Sequence, residues 1–175
     1  MTYLLMIAAI LAVLGYLIHR KPDTFSYTRS AVIHATPEAV FREVEDFRRW
    51  AFWSPWAPLD PNCKNSFEGS ESGVGSVFNW DGNSKVGAGK MTITETRPHE
   101  VILLDLQFYK PMKALNHTEF TFTPQEDGTL VRWTMSGRTN FMGKLIDTVM
   151  NCEKMVGDMF VKGLVNLKKV VEAKA

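Results

Sequence analysis

Cysteine is nearly absent from this chain, with Cys63 and Cys152 the only two among 175 residues. Two distant cysteines make neither a disulfide framework nor a zinc pattern, so both are read as free thiols. Charge of one sign is lacking as well. The net charge is +1, and no Lys/Arg run marks a nucleic-acid surface; Lys168 and Lys169 close a helix, where cations are favoured. Nucleic acid is therefore excluded as the expected partner. Metal-ligand spacing is missing apart from His117-x-Glu119, and no serine-nucleophile motif occurs. The one glycine-rich run, GVGS at 73–76, precedes a strand, which is the wrong context for a phosphate loop. No metal and no cofactor is predicted, and GVGS is read as a turn with close backbone approach.

What the chain has in quantity is apolar residues, 45% by composition, enough for one domain with a real core. From Met1 to Ile18 no charged side chain appears. As a helix this run would be about 27 Å long, close to the hydrocarbon thickness of a bilayer. It differs from a secretory signal because its positive charges, His19, Arg20 and Lys21, follow the apolar run and no small-x-small cleavage site precedes them. Residues 1–19 are read as a transmembrane anchor, 20–24 as a linker and 25–175 as the folded domain. Arg20, Lys21 and Arg29 favour a single-pass inner-membrane topology with that domain in the cytoplasm.

The domain begins with a strand at 25–34. A helix follows, with Thr36 as N-cap, Pro37 at its first position and an apolar stripe of Val40, Phe41, Val44 and Phe47. Next come Trp50, Trp53 and Trp56 on a short second turn, bounded by Pro55 and Pro58. From Lys64 to Gly137 the hydrophobic period is two, with turn residues at hairpin spacing, which predicts an antiparallel meander. Alternation points Phe78, Trp80, Met91, Ile93, Leu104, Leu106 and Phe108 inward. On the last two strands it does the same for Asn116, Thr118, Phe120, Trp133 and Met135. His117 and Glu119 share the opposite, exposed face, which argues against a general-base pair. From Asn140 onward, apolar residues at three- and four-residue steps predict one long helix.

One sheet and one long helix must bury their apolar faces against each other, and a twisted sheet of six or seven strands curls around such a helix. The angle between them leaves room for a pocket.

The run AVIHATPEAVFREVEDFRRWAFWSPW, then GVGSVFNWDGN, GAGKMTITETRP, TLVRWTMSG and KMVGDMFVKGLVNLKKVVE, resembles the START-like, SRPBCC or polyketide-cyclase-type (Bet v 1-like) superfamily over residues 28–173. Bacterial members with an amino-terminal membrane segment are the nearest in look. The resemblance implies the α+β helix-grip fold: an antiparallel sheet wrapped around the carboxyl-terminal helix, with a hydrophobic cavity between them. It also implies binding of lipids, polyketides or other apolar molecules, with cyclases, hydrolases and chaperone-binding modules among the relatives. A pocket follows from this, but no reaction.

The resulting expectation is a membrane-tethered module for a small hydrophobic or lipid-like ligand. An enzyme acting on an apolar substrate, or a co-chaperone-like interaction module with an unknown protein partner, are the alternatives. Candidate lining residues are Trp53, Trp56, Phe78, Trp80, Leu104, Leu106 and Phe108. Asn116, Thr118, Phe120, Trp133, Met135, Met142 and Met159 complete them. The methionines suit a cavity of adaptable shape, though they serve equally as core filling. For the tryptophan trio, packing is favoured over ligand contact, with at least one ring expected as a lid anchor.

Overall fold

A computed structural model describes residues 2–174. The first helix, α1 (Thr2–His19), buries none of its residues. After it come β1 (Thr24–Ile33) and α2 (Pro37–Glu45), whose Thr36 cap accepts from the Ala39 amide at 3.3 Å. Two short 3₁₀ turns follow, Phe47–Phe52, which carries Trp50, and Ala57–Leu59, with Trp53 and Trp56 between them. Six more strands follow: β2 (Lys64–Gly69), β3 (Ser76–Asp81), β4 (Ala88–Arg97), β5 (Val101–Lys110), β6 (Ala114–Gln125) and β7 (Gly128–Arg138). The chain ends in α3 (Phe141–Met150) and α4 (Cys152–Glu172).

All seven strands form one antiparallel sheet in the order β1-β7-β6-β5-β4-β3-β2. The chain is the predicted α+β helix grip. The additional strand is β2, an edge strand exposed along its whole length. The predicted carboxyl-terminal helix is divided at Asn151, which adopts φ 50° and ψ 60°. Asparagine tolerates that left-handed conformation and serves both helices, ending α3 and capping α4 by accepting from the Lys154 amide at 3.2 Å.

The sheet has two ends that differ in what they meet. At one lie the start of β1, which follows α1 in the chain, the end of β7 and the β3–β4 and β5–β6 connections; this end is called the anchor end after the role expected of α1. At the far end lie Ile33, the β6–β7 hairpin, α2 and the end of α4. α4 runs along β1 from the first end to the second: its Gly157 approaches Arg29, and Glu172 accepts from the His34 amide at 2.8 Å. The core is densest at the far end, where Ile33, Val40, Val44, Ile102, Val131 and Leu167 are all fully buried.

Candidate functional site

The inward face of the sheet is divided between a filled half and an open half. Beneath α4 the space is occupied by aromatic rings. Trp133 stacks on Phe160 with centroids 4.2 Å apart and planes at 9°, Phe120 lies 4.7 Å from Trp133, and Trp50 lies 4.6 Å from Trp53. Large rings in offset and edge-to-face contact fill volume efficiently, so these side chains occupy the space under the helix. Two pockets of about 390 and 250 Å³ both lie on the outer face instead, the larger beside Lys64, Asn79, Asp81 and Tyr109, the smaller beside Lys90, Asp105, Gln107 and Leu115.

The tryptophans are held from several directions. Trp50 Nε1 donates to the Val44 carbonyl at 2.8 Å and Trp53 Nε1 to the Glu43 carbonyl at 3.1 Å. Asn166 of α4 donates to the Trp53 carbonyl at 3.2 Å, tying the turn to the helix. Both rings are buried, as packing requires, while Trp56 is half-buried at the edge of the cluster, 5.7 Å from Trp133 and 6.2 Å from Phe160. Glu43 supports the same turn: its buried carboxylate bonds Arg49 at 2.7 Å and Lys174 at 3.0 Å. Trp133 is the exception in hydrogen bonding. Its indole N–H is buried without a partner among the described residues, and a buried donor left unpaired carries a desolvation cost of about 1–3 kcal/mol.

Toward the anchor end the same inward face opens. Along β5, Ile102 and Leu104 are 0% and 1% exposed, whereas Leu106 and Phe108 are only half-buried. Phe78 and Trp80 on β3 and Met91 on β4 are half-buried too, in a stacked row with Phe67 from the edge strand. Trp80 donates to the Val86 carbonyl at 3.1 Å and meets Phe108 edge-on. Its ring lies over Gly89, where any Cβ would come within 2.6 Å of it. Asn116 and Thr118, inward as alternation required, bring buried polar groups to this region; the Asn116 amide reaches Met135 Sδ at 3.9 Å. From β1, Tyr27 donates to Asp147 Oδ1 at 3.1 Å. Burial and the Asp147 carboxylate push its phenol far above the ordinary 10.

Of the residues singled out from the sequence, Trp53, Leu104, Phe120 and Trp133 belong to the filled half, with Trp56 at its margin. Phe78, Trp80, Leu106 and Phe108 belong to the open half, where Asn116, Thr118 and Met135 form its floor. Met159 is half-buried on α4. Met142 does not join them. It is 54% exposed on α3, because the break at Asn151 turns α3 away from the line of α4, and Met150 is exposed for the same reason, while Met155 is exposed on the first turn of α4. Sequence reasoning missed Phe25 and Tyr27, which pack against the core at the open end; the alternation of β1 carried that signal.

His117 forms no pair with Glu119. Its Nδ1 lies 2.8 Å from Asp105 across the strand register on the outer face. Among the described residues no group of His, Cys, Asp or Glu side chains could hold a metal ion.

The family model for polyketide cyclase/dehydrase and lipid transport proteins matches residues 24–172. The chain belongs to that family. Solved structures of similar fold cover most of this chain. Protein MLL2253 from Mesorhizobium loti is 16% identical, with a TM-score of 0.64 over 86% of this chain and 99% of that one. The Aha1 dimer from Colwellia psychrerythraea is 18% identical, with a TM-score of 0.57 over 82% and 96%. The di-domain ARO/CYC StfQ of the steffimycin biosynthetic pathway is 12% identical, with a TM-score of 0.57 over 86% of this chain and 51% of that one. At these identities the likeness is one of fold. Among curated proteins none matches the sequence. Ahead of the family domain, α1 is long and apolar enough to cross a membrane.

Proposed function

We propose that this member of the family is a membrane-tethered, non-enzymatic binding module whose open half takes a small hydrophobic or lipid-like ligand. The observation that carries the reading is the burial gradient. Inward-facing apolar side chains pass from fully buried at the far end to half-buried at the anchor end, so the apolar surface left for a ligand is at the end of the sheet where β1 follows α1. Burying it would contribute about 25 cal/mol per Å² of apolar surface removed from water. Asn116 and Thr118 supply the few polar contacts that orient a ligand in such a site. The unpartnered Trp133 N–H, deeper in, would gain an acceptor from a carbonyl or hydroxyl on a ligand that penetrates that far. The α1 anchor holds the module where membrane-partitioned molecules are concentrated. Arg20, Lys21 and Arg29 favour the cytoplasmic side of the inner membrane for the domain under the positive-inside rule.

Retained lipid in native mass spectrometry of the full chain, or a thermal shift with members of a hydrophobic library, is the expected result. Leu106→Trp, which fills the open half, abolishes both, while unfolding of the unliganded variant stays cooperative. Full chain that retains nothing and shifts with nothing overturns the proposal. The enzyme alternative can draw on Tyr27, an inward ionisable group at the open end that carries a hydroxyl. Its raised pKa and its bond to Asp147 make it a poor base at neutral pH.

A further inference from the structure

α3 is amphipathic in the opposite sense to a soluble surface helix. At 100° per residue, Phe141, Leu145, Val149, Met142, Ile146 and Met150 follow one another around one half of its circumference. Four of these are strongly exposed: Phe141 at 46%, Met142 at 54%, Val149 at 76% and Met150 at 57%. The polar half is the one turned toward the protein. Lys144 is buried and bonds Asp23 at 2.6 Å and the His19 carbonyl at 3.2 Å. Thr148 accepts from Lys21 at 2.8 Å, and Asp147 accepts from Tyr27. A helix that spends its polar groups inward and shows water its apolar half has a partner of its own.

Position and charge identify that partner. The bonds to His19, Lys21 and Asp23 fix α3 at the level where α1 ends, which for a membrane-spanning α1 is the headgroup boundary. Tyr16, bonded by Arg20 at 3.3 Å, marks the same depth. The β5–β6 hairpin at this end adds Met112 and Leu115, 54% and 53% exposed. Formal charge is polarised along the same axis. Residues 20–24, 60–66, 80–88, 108–115 and 138–148 hold eight basic and four acidic side chains, whereas 35–49, 67–72, 95–100, 123–128 and 167–174 hold seven and eleven. The anchor end is thus +4 and the far end −4 in a chain of net charge +1. At the basic end, Lys113 and Arg138 make no ion pair among the described residues.

We propose that α3 and the tip of the β5–β6 hairpin form a second membrane contact, docking the domain on the anionic lipid surface into which α1 is inserted. This rests on the reading of α1 as a membrane anchor. The apolar half of α3 lies in the headgroup region, Met112 and Leu115 touch it beside the open half of the grip, and basic side chains meet lipid phosphates. Apolar area and attraction to anionic lipid are the two contributions that hold interfacial helices in place.

The test uses the full chain with Cys63→Ser and Cys152→Ser, reconstituted in phosphatidylcholine vesicles with or without phosphatidylglycerol. An environment-sensitive fluorophore is attached singly at Leu11→Cys, Met112→Cys, Phe141→Cys or Glu126→Cys. Deep-chain quenchers are expected to reach position 11, and headgroup quenchers positions 112 and 141 but not 126. Quenching at 112 and 141 should rise at least about twofold with phosphatidylglycerol and fall back in Lys113→Glu/Arg138→Glu, as attraction to an anionic leaflet requires. Quenching at 11 with 112 and 141 as free as 126 overturns the docking while the anchor stands. No quenching at 11 overturns the anchor and the docking with it. Quenching at 112 and 141 that is indifferent to phosphatidylglycerol overturns the assignment to an anionic surface.

Discussion

Two glycines of α4 test whether the helix is seated on the tryptophan cluster. In an ordinary helix interior, Gly→Ala stabilises by about 0.5–1 kcal/mol. At Gly163 an added Cβ would lie 2.8 Å from Trp133 Cζ3 and 3.0 Å from Pro55 Cδ. Neither neighbour can give way easily: Trp133 is stacked on Phe160 and wedged by Phe120, and Pro55 is buried in the turn that Asn166 ties down. Overpacking a filled core costs about 1–3 kcal/mol, so Gly163→Ala should lose about 1–2 kcal/mol net of the helix gain. For a domain of this size that is a fall in Tm of about 2–8 °C. At Gly157 the new methyl meets only the guanidinium of Arg29, the far end of a flexible chain. There the helix gain survives and Tm should rise. Thermal unfolding of both variants in one detergent, followed by tryptophan fluorescence, gives the comparison. An equal rise for both would refute the close approach of α4 to Trp133 and Pro55.

Glu43→Ala removes the carboxylate that holds Arg49 and Lys174; because both cations keep access to water, the expected loss is about 1–3 kcal/mol, measured by denaturant unfolding. Lys174→Met, at an exposed rim, should cost less than about 1 kcal/mol in the same assay. The Asp23 carboxyl is held below its ordinary 3.8, first by the hydrogen bond from Lys144 and then by that cation's charge. A lowered carboxylate pKa means stability fully present above 3.8 and lost as pH falls through the folded value, so amide protection along residues 20–24 and α3, taken relative to the intrinsic exchange rate at each pH, should fall with acid below 3.8. Asp23→Asn should exchange faster at neutral pH and lose that acid response; an unchanged profile would count against the tie. Burial raises the Cys63 and Cys152 thiols, with Asp60 and Asp147 adding to it, so alkylation of the native protein at neutral pH should be slower than that of the unfolded chain at both positions.

Much of this was legible in the residues because it depends on local period. Alternation placed Asn116 and Thr118 inward and His117 outward, and the caps at Thr36 and Asn140 sit where their side-chain chemistry asked for them. Three features were not. β2 shows no alternation to read, since as an exposed edge strand it has no face to bury. The split between α3 and α4 lies in one left-handed residue, Asn151, inside a pattern whose apolar spacing runs on past it. That break is why Met142 was assigned to a lining it does not reach. The division of the grip into a filled and an open half depends on which rings meet, and Trp50, Trp133 and Phe160 come together from three separate parts of the chain.

Only Arg20 to Asp23 separate α1 from β1, and Lys144 grips that segment from the side through His19 and Asp23. A leash so short and so fastened leaves little freedom to swing. With α1 in a membrane, as proposed, the domain would not act as a ferry that loads in one place and unloads in another. A ligand held under the proposed arrangement would arrive and depart near the point where α1 ends, so its exchange would be set by diffusion in the plane of the membrane, and traffic over a longer distance would require a second protein to come to it.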